Sequence, residues 1–92
     1  MKISILLPYK ENFTPIYPGA VSLFLKDTIP LSKFKKQILV YGNTEYKKPF
    51  LKNYKNLHFK KFFFKSSTNS YLKEFIKNEN IIKSNLIEIH NR

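Results

Sequence analysis

Lys2-Ile3-Ser4-Ile5-Leu6-Leu7-Pro8 is the stretch that decides the fold. It is a short, nearly continuous apolar run stopped by a proline, the pattern of a strand buried on both faces, as in a parallel sheet. The segment behind it, residues 9–18, holds Asn12, Thr14, Pro15 and Pro18 without periodicity and reads as a loop. Pro18-Gly19-Ala20 then opens a helix, with apolar residues at 20, 21, 24 and 25 on one face. Pro30 ends that helix by about residue 28, because the residue before a proline is pushed out of the α region.

A second strand is predicted at Gln37-Ile38-Leu39-Val40-Tyr41, stopped by Gly42-Asn43. Residues 44–56 alternate cations and rings and read as a connector, with room for a short helix after Pro49. A third strand is predicted over residues 57–64, carrying Phe62-Phe63-Phe64 as core filling. Ser66-Ser67-Thr68-Asn69 is a helix-start cluster, followed by a stripe of Leu72, Phe75 and Ile76 with Tyr71 and Ile82 extending it. Leu86-Ile87-Glu88-Ile89 makes a fourth strand, and His90-Asn91-Arg92 follows. Strands alternating with helices predict an α/β layer fold with a parallel sheet. The competing arrangement is an antiparallel hairpin between the second and third strands, because a parallel crossover needs a dozen or so residues. A chain of 92 residues makes one domain at most. Four strands where a Rossmann-type sheet has about six suggest the first part of something longer.

Composition narrows the chemistry. Zero Cys excludes a disulfide framework and thiol catalysis, and two His, His58 and His90, do not make a metal site. No P-loop, carboxylate pair or Ser/His/Asp set is identifiable, and no cofactor is implied. No apolar run reaches the ~18 residues that span a bilayer, so a soluble, cytoplasmic protein is expected. Lys+Arg 17 against Asp+Glu 6 gives a net charge of +11, yet 16 of the 17 cations are Lys and Arg92 is the single Arg. Nucleic-acid recognition leans on the planar fork of Arg. The chain is also rich in Asn, Ile and Phe, which share AT-rich codons with Lys, so part of the charge reflects composition. The remainder predicts salt-dependent attraction to anionic lipid headgroups or phosphates, and no specific nucleic acid.

In a sheet of order 3-2-1-4 the strand order reverses between the first and fourth strands, and ligands bind outside the carboxyl ends at that point. The segments arriving there are the loop ending at Gly19 and the tip His90-Asn91-Arg92. A helix N-terminus at Gly19 suits an anion, and a glycine admits close approach to the backbone. His90 would face it as donor, acceptor or imidazolium.

The order of these features resembles retaining glycosyltransferases of the two-domain GT-B type, the large "group 1" family. A first strand ending in Pro, a long loop closing on Pro-Gly-Ala-Val and a fourth strand reading Ile-Glu-Ile-His-Asn-Arg carry the resemblance. Leu-Leu-Pro-Tyr-Lys-Glu-Asn-Phe and the His-Asn-Arg ending are similar to members that build bacterial cell-envelope polysaccharide. The resemblance covers residues 1–92 and implies an incomplete Rossmann-like N-terminal domain. It also implies transfer of a sugar from a nucleotide-sugar donor to a glycan or lipid-linked acceptor, at the inner face of the membrane. His90 would be the catalytic candidate, touching the transferred sugar. Gly19, Ala20, Asn91 and Arg92 would bind substrate or phosphate. The family usually has two adjacent glycines where this chain has Gly19-Ala20. The donor-binding C-terminal domain, with its paired glutamates, lies outside these residues, so transfer by this chain alone is not expected. The alternative reading is a basic module for nucleic acid or anionic membrane.

Overall fold

The computed structural model describes residues 1–59 and 67–90. It has four parallel strands, β1 (Ile3–Leu6), β2 (Ile38–Gly42), β3 (Tyr54–Asn56) and β4 (Leu86–Ile89), in the order β3-β2-β1-β4. Helix α1 (Ala20–Thr28) connects β1 to β2, and helix α2 (Ser67–Ile82) precedes β4. The expected sheet order is found, and the β2–β3 hairpin is replaced by parallel pairing in which Val40, Tyr41 and Gly42 face Tyr54, Lys55 and Asn56. Both features fit a Rossmann-like α/β fragment.

β1 is buried along its whole length because it has a partner on each side and a helix over each face. Alternation sends Ile3, Ile5 and Leu7 to one face, where they pack with Ile38, Val40, Phe13 and the α1 residues Leu25 and Val21. Ser4 and Leu6 point the other way. There Leu6 joins Tyr41, Leu57 and the α2 residues Tyr71 and Phe75. Phe75 meets the Tyr41 ring edge-on at 5.0 Å, a geometry that aromatic pairs prefer.

The third strand lies earlier than the sequence suggests. Residues 54–56 hold the ladder position, Leu57 N–H makes a last bond to the Gly42 carbonyl at 2.8 Å, and 58–59 lie beyond the strand. The side chains of Tyr-Lys-Asn gave no strand signal, since an edge strand half open to water carries little apolar patterning. The connector before it contains no helix after Pro49. Phe62-Phe63-Phe64 lies outside the described residues.

Ser4 is a polar residue in the most buried strand, and it has a partner there. Its hydroxyl donates to Glu79 Oε2 at 2.7 Å and lies 2.6 Å from Ser84 Oγ. The Tyr41 hydroxyl donates to the same carboxylate oxygen at 3.2 Å. A carboxylate only 8% exposed thus ties α2 to β1, to β2 and, through Ser4, to the turn before β4. Tyr71 adds a second tie by donating to the Leu7 carbonyl at 2.7 Å. Beyond α2, Lys83 adopts φ 56° and its N–H closes on the Glu79 carbonyl at 2.7 Å. That is the left-handed cap that ends many helices. β4 is the exposed edge, with Leu86, Ile87 and Ile89 at 54, 45 and 51% exposure.

Two outcomes follow from these contacts. Glu79→Ala leaves the buried Tyr41 hydroxyl without its acceptor and Ser4 with Ser84 alone, and should lower stability by about 1–3 kcal/mol, read as an earlier urea midpoint; an unchanged midpoint would contradict the role given to the carboxylate. Burial, reinforced by the Glu79 charge, raises the Tyr41 phenol from 10.0 to about 12. Burial pushes Tyr54 and Tyr71 up as well. Folded-state values above the unfolded value mean that the folded chain holds protons the unfolded chain has lost. This stabilisation is complete below pH 10 and fades as pH rises through the folded values. Melting temperature should therefore fall above pH 10, and Tyr41→Phe should flatten part of that fall.

Candidate functional site at the carboxyl edge of the sheet

Every strand runs the same way, so the loops after β1, β2 and β3 gather at one edge, where open α/β sheets hold their ligands. The β1–α1 loop begins with a turn in which Glu11 N–H donates to the Pro8 carbonyl at 3.1 Å. Lys10 in that turn has φ 66°, and Tyr17 further along has φ 48°. Two non-glycine residues held in the left-handed region make this loop a place of local backbone strain, which tends to concentrate where ligands are handled.

Gly19 is the N-cap of α1, in extended backbone with φ −80° and ψ 167°. Glycine offers no side chain to the helix N-terminus. The donor demand is met from elsewhere in the chain. Glu11 is buried, and its Oε2 accepts from the Ser22 N–H at 2.9 Å and the Ser22 hydroxyl at 2.7 Å. The anion expected at this terminus is thus one of the chain's own carboxylates. A Cβ at position 19 would strike the Glu11 side chain, so Gly19 is needed for space rather than for an unusual φ. Ala20 begins the helix and is exposed.

His90 sits directly beyond β4, its N–H donating to the Leu6 carbonyl at 3.0 Å. By alternation it shares a face with Glu88, opposite Ile5 and Leu7, on the side covered by α1. Gly19 and His90 therefore reach the same face of the same edge. The imidazole Nε2 is shielded from solvent and lies 2.9 Å from Glu88 Oε1, off the line of a good hydrogen bond. Asn91 and Arg92 lie outside the described residues.

A cavity of about 430 Å³ opens on the other side of the β1 terminus, between the loops after β1 and β2. Tyr9, Lys10 and Asn12 line it from one loop, Asn43, Thr44 and Tyr46 from the other, with Phe59 closing it beyond β3. Neither Gly19 nor His90 belongs to this lining. Its polar groups are fixed by one another. Thr44 Oγ1 donates to Asn12 Oδ1 at 2.6 Å, and Asn12 Nδ2 donates to the Tyr17 carbonyl at 3.1 Å. Asn43 Nδ2 donates to the Leu57 carbonyl at 2.8 Å. Asn56 holds Thr44 from below, accepting from its N–H at 2.8 Å and donating to its carbonyl at 3.1 Å. The Tyr9 ring lies 5.8 Å from Phe59 and carries Lys10 Nζ at 5.6 Å. A wall of rings facing a set of amides and hydroxyls can take a ligand with an apolar face and a polar rim.

Sequence reasoning found the edge but not these residues. Isolated Asn and Thr in loops resemble ordinary turn formers, and only the pairing of β1 with β2 brings Asn12 beside Thr44. The Glu11 contact did leave a signal: a helix opening on glycine, with no acidic residue in its first turn, requires a partner from outside the helix.

A mutant cycle tests the Gly19–Glu11 relation. Glu11→Ala and Gly19→Ala should each lower stability by about 1–3 kcal/mol. The double variant should fall no further than Glu11→Ala, because the contact is already gone. Fully additive losses in urea would separate the two residues.

No protein-family model matches the chain, and no curated protein or solved structure matches it either.

Proposed function

We propose that this chain is the acceptor-side portion of a sugar-transferring enzyme of the GT-B kind, holding a glycan or lipid-linked sugar at the carboxyl edge of its sheet. The observation that supports this reading is the cavity lined by Tyr9, Tyr46 and Phe59 on one hand and Asn12, Asn43 and Thr44 on the other. A sugar ring has C–H faces that pack on aromatic rings and a rim of hydroxyls that pair with amides and hydroxyls. Those partners are already oriented by mutual hydrogen bonds, which lowers the entropy lost on binding.

Within this reading the acceptor lies on the β2 side of the β1 terminus, and His90 lies on the β4 side. Neighbouring strands are about 4.8 Å apart, so two sugars could occupy adjoining subsites across the end of β1. His90 would touch the transferred sugar, where a contact made mainly in the transition state affects kcat. The nucleotide-sugar donor is held by a second Rossmann-like unit, as in the enzymes the sequence resembles. The α1 N-terminus, already filled by Glu11, is not the place for its diphosphate while that carboxylate stays bound.

The experiment is a titration with monosaccharides (glucose, galactose, N-acetylglucosamine) followed by amide NMR. Shifts at Asn12, Asn43, Thr44 and Tyr46 are expected, with millimolar affinity. Asn12→Ala and Tyr9→Ala should each weaken binding by about tenfold, one hydrogen bond or one ring contact. Lys10→Gly should relieve the left-handed residue and raise stability by up to about 1 kcal/mol. Silence at the cavity with every sugar would remove the reading. Nanomolar, sequence-specific binding of duplex DNA would replace it with the basic-module alternative.

A further inference from the structure

The opposite edge of the sheet has a different character. Because all four strands start there, the segments entering β1, β2 and β3 lie side by side, and two cavities open near their amino ends. Lys2, Lys36, Ile38, Leu39, Asn53 and Ile82 are among the residues lining one. Pro30, Lys35, Lys36, Ile38, Leu51 and Lys52 are among those lining the other. The segment 29–37, Ile-Pro-Leu-Ser-Lys-Phe-Lys-Lys-Gln, contributes Ile29, Pro30, Lys35, Lys36 and Gln37 to these linings.

This segment is rigid. Ile29 is buried in the core under the sheet. Two short 3₁₀ turns follow, at Ile29–Leu31 and Lys35–Gln37. Ser32 N–H donates to the Ile29 carbonyl at 2.9 Å, Phe34 N–H to Ser32 Oγ at 3.1 Å, and Gln37 N–H to the Phe34 carbonyl at 2.8 Å. The segment holds two apolar side chains in solvent: Leu31 at 86% exposure and Phe34 at 37%. Lys33, Lys35 and Lys36 flank them, all exposed. Lys33 Nζ lies 5.2 Å from the Phe34 ring centroid. Between Asp27 and Glu45 the sequence has no acidic residue, so nothing on the segment offsets its charge.

We propose that this amino edge, presented by residues 29–37, docks on an anionic phospholipid bilayer. The proposal is independent of the sugar-binding reading. Charge complementarity brings the lysines to headgroup phosphates. The apolar pair decides between polyanions: Leu31 and Phe34 gain from entering the headgroup–acyl boundary, whereas a nucleic-acid backbone offers Leu31 nothing. An aromatic and a leucine set among lysines, without arginine, match an interfacial surface better than a phosphate-reading one.

Vesicle co-sedimentation at fixed salt tests it, with pure phosphatidylcholine vesicles against vesicles containing 30% phosphatidylglycerol. The full chain should bind the anionic vesicles and not the neutral ones. Each lysine near the surface changes partitioning by about fivefold, so the triple variant K33A/K35A/K36A should lose about 100-fold. A control with the same net charge, K47A/K48A/K73A, removes exposed lysines elsewhere and should lose less than threefold. L31S/F34S should lose about tenfold on anionic vesicles and keep its retention on heparin. Equal losses from the two triple variants would reduce the effect to net charge and overturn the proposal. So would unchanged vesicle binding by L31S/F34S, or duplex DNA displacing the chain from vesicles with no dependence on Leu31 and Phe34.

Discussion

The Glu79 carboxylate is the interaction on which the architecture turns. A buried charge is costly unless its oxygens are paired, and here Oε2 takes the hydroxyls of Ser4 in β1 and Tyr41 in β2, with Ser84 ahead of β4 bonded to Ser4, while Oε1 is buried without a partner. The hydroxyls lie together only when α2 crosses β1 and β2 at one rotation and one height. That placement in turn delivers the chain to the free side of β1. Glu11 performs the corresponding task on the other face, fixing the start of α1 against the end of β1. In a chain with only 6 acidic residues against 17 cations, one acid holds each helix.

The parts of the fold legible in the sequence were those whose signal is apolar patterning. β1 appeared as an uninterrupted run, β4 as a short apolar segment, and α1 and α2 as stripes, although Phe24 and Ile76 of those stripes are exposed while Ser22 and Glu79 are buried; the parallel sense followed from strands alternating with helices. β3 escaped because Tyr54-Lys55-Asn56 carries no such pattern, while the more apolar block downstream attracted the assignment. The candidate site divides in the same way. Gly19 and His90 could be assigned to the carboxyl edge because a helix start and a strand end can be located along the chain. Asn12, Asn43 and Thr44 could not be found, since their importance arises from pairing between segments 32 residues apart, as between Asn12 and Thr44.

The two edges of the parallel sheet are chemically unlike. At the carboxyl edge, amides, hydroxyls and rings are locked into a network around a cavity whose lining also carries one cation and one acid, Lys10 and Glu45. At the amino edge, lysines stand free of acids beside exposed apolar groups. Among the described lysines only Lys26 pairs with a carboxylate, Asp27 at 3.4 Å. The positive field is therefore little neutralised within the chain, and it is directed outward.

The central position of β1 has a consequence for the way the chain breathes. Its amides bond to neighbours on both sides while two helices cover its faces. Opening β1 to solvent therefore requires dismantling the sheet, whereas β4 and β3 each have one bonded side and partial cover. Amide protons of Ile3 through Leu6 would exchange with deuterium only through global unfolding, so their protection reads out the stability of the whole chain. Those of the two edge strands would report local fraying, residue by residue.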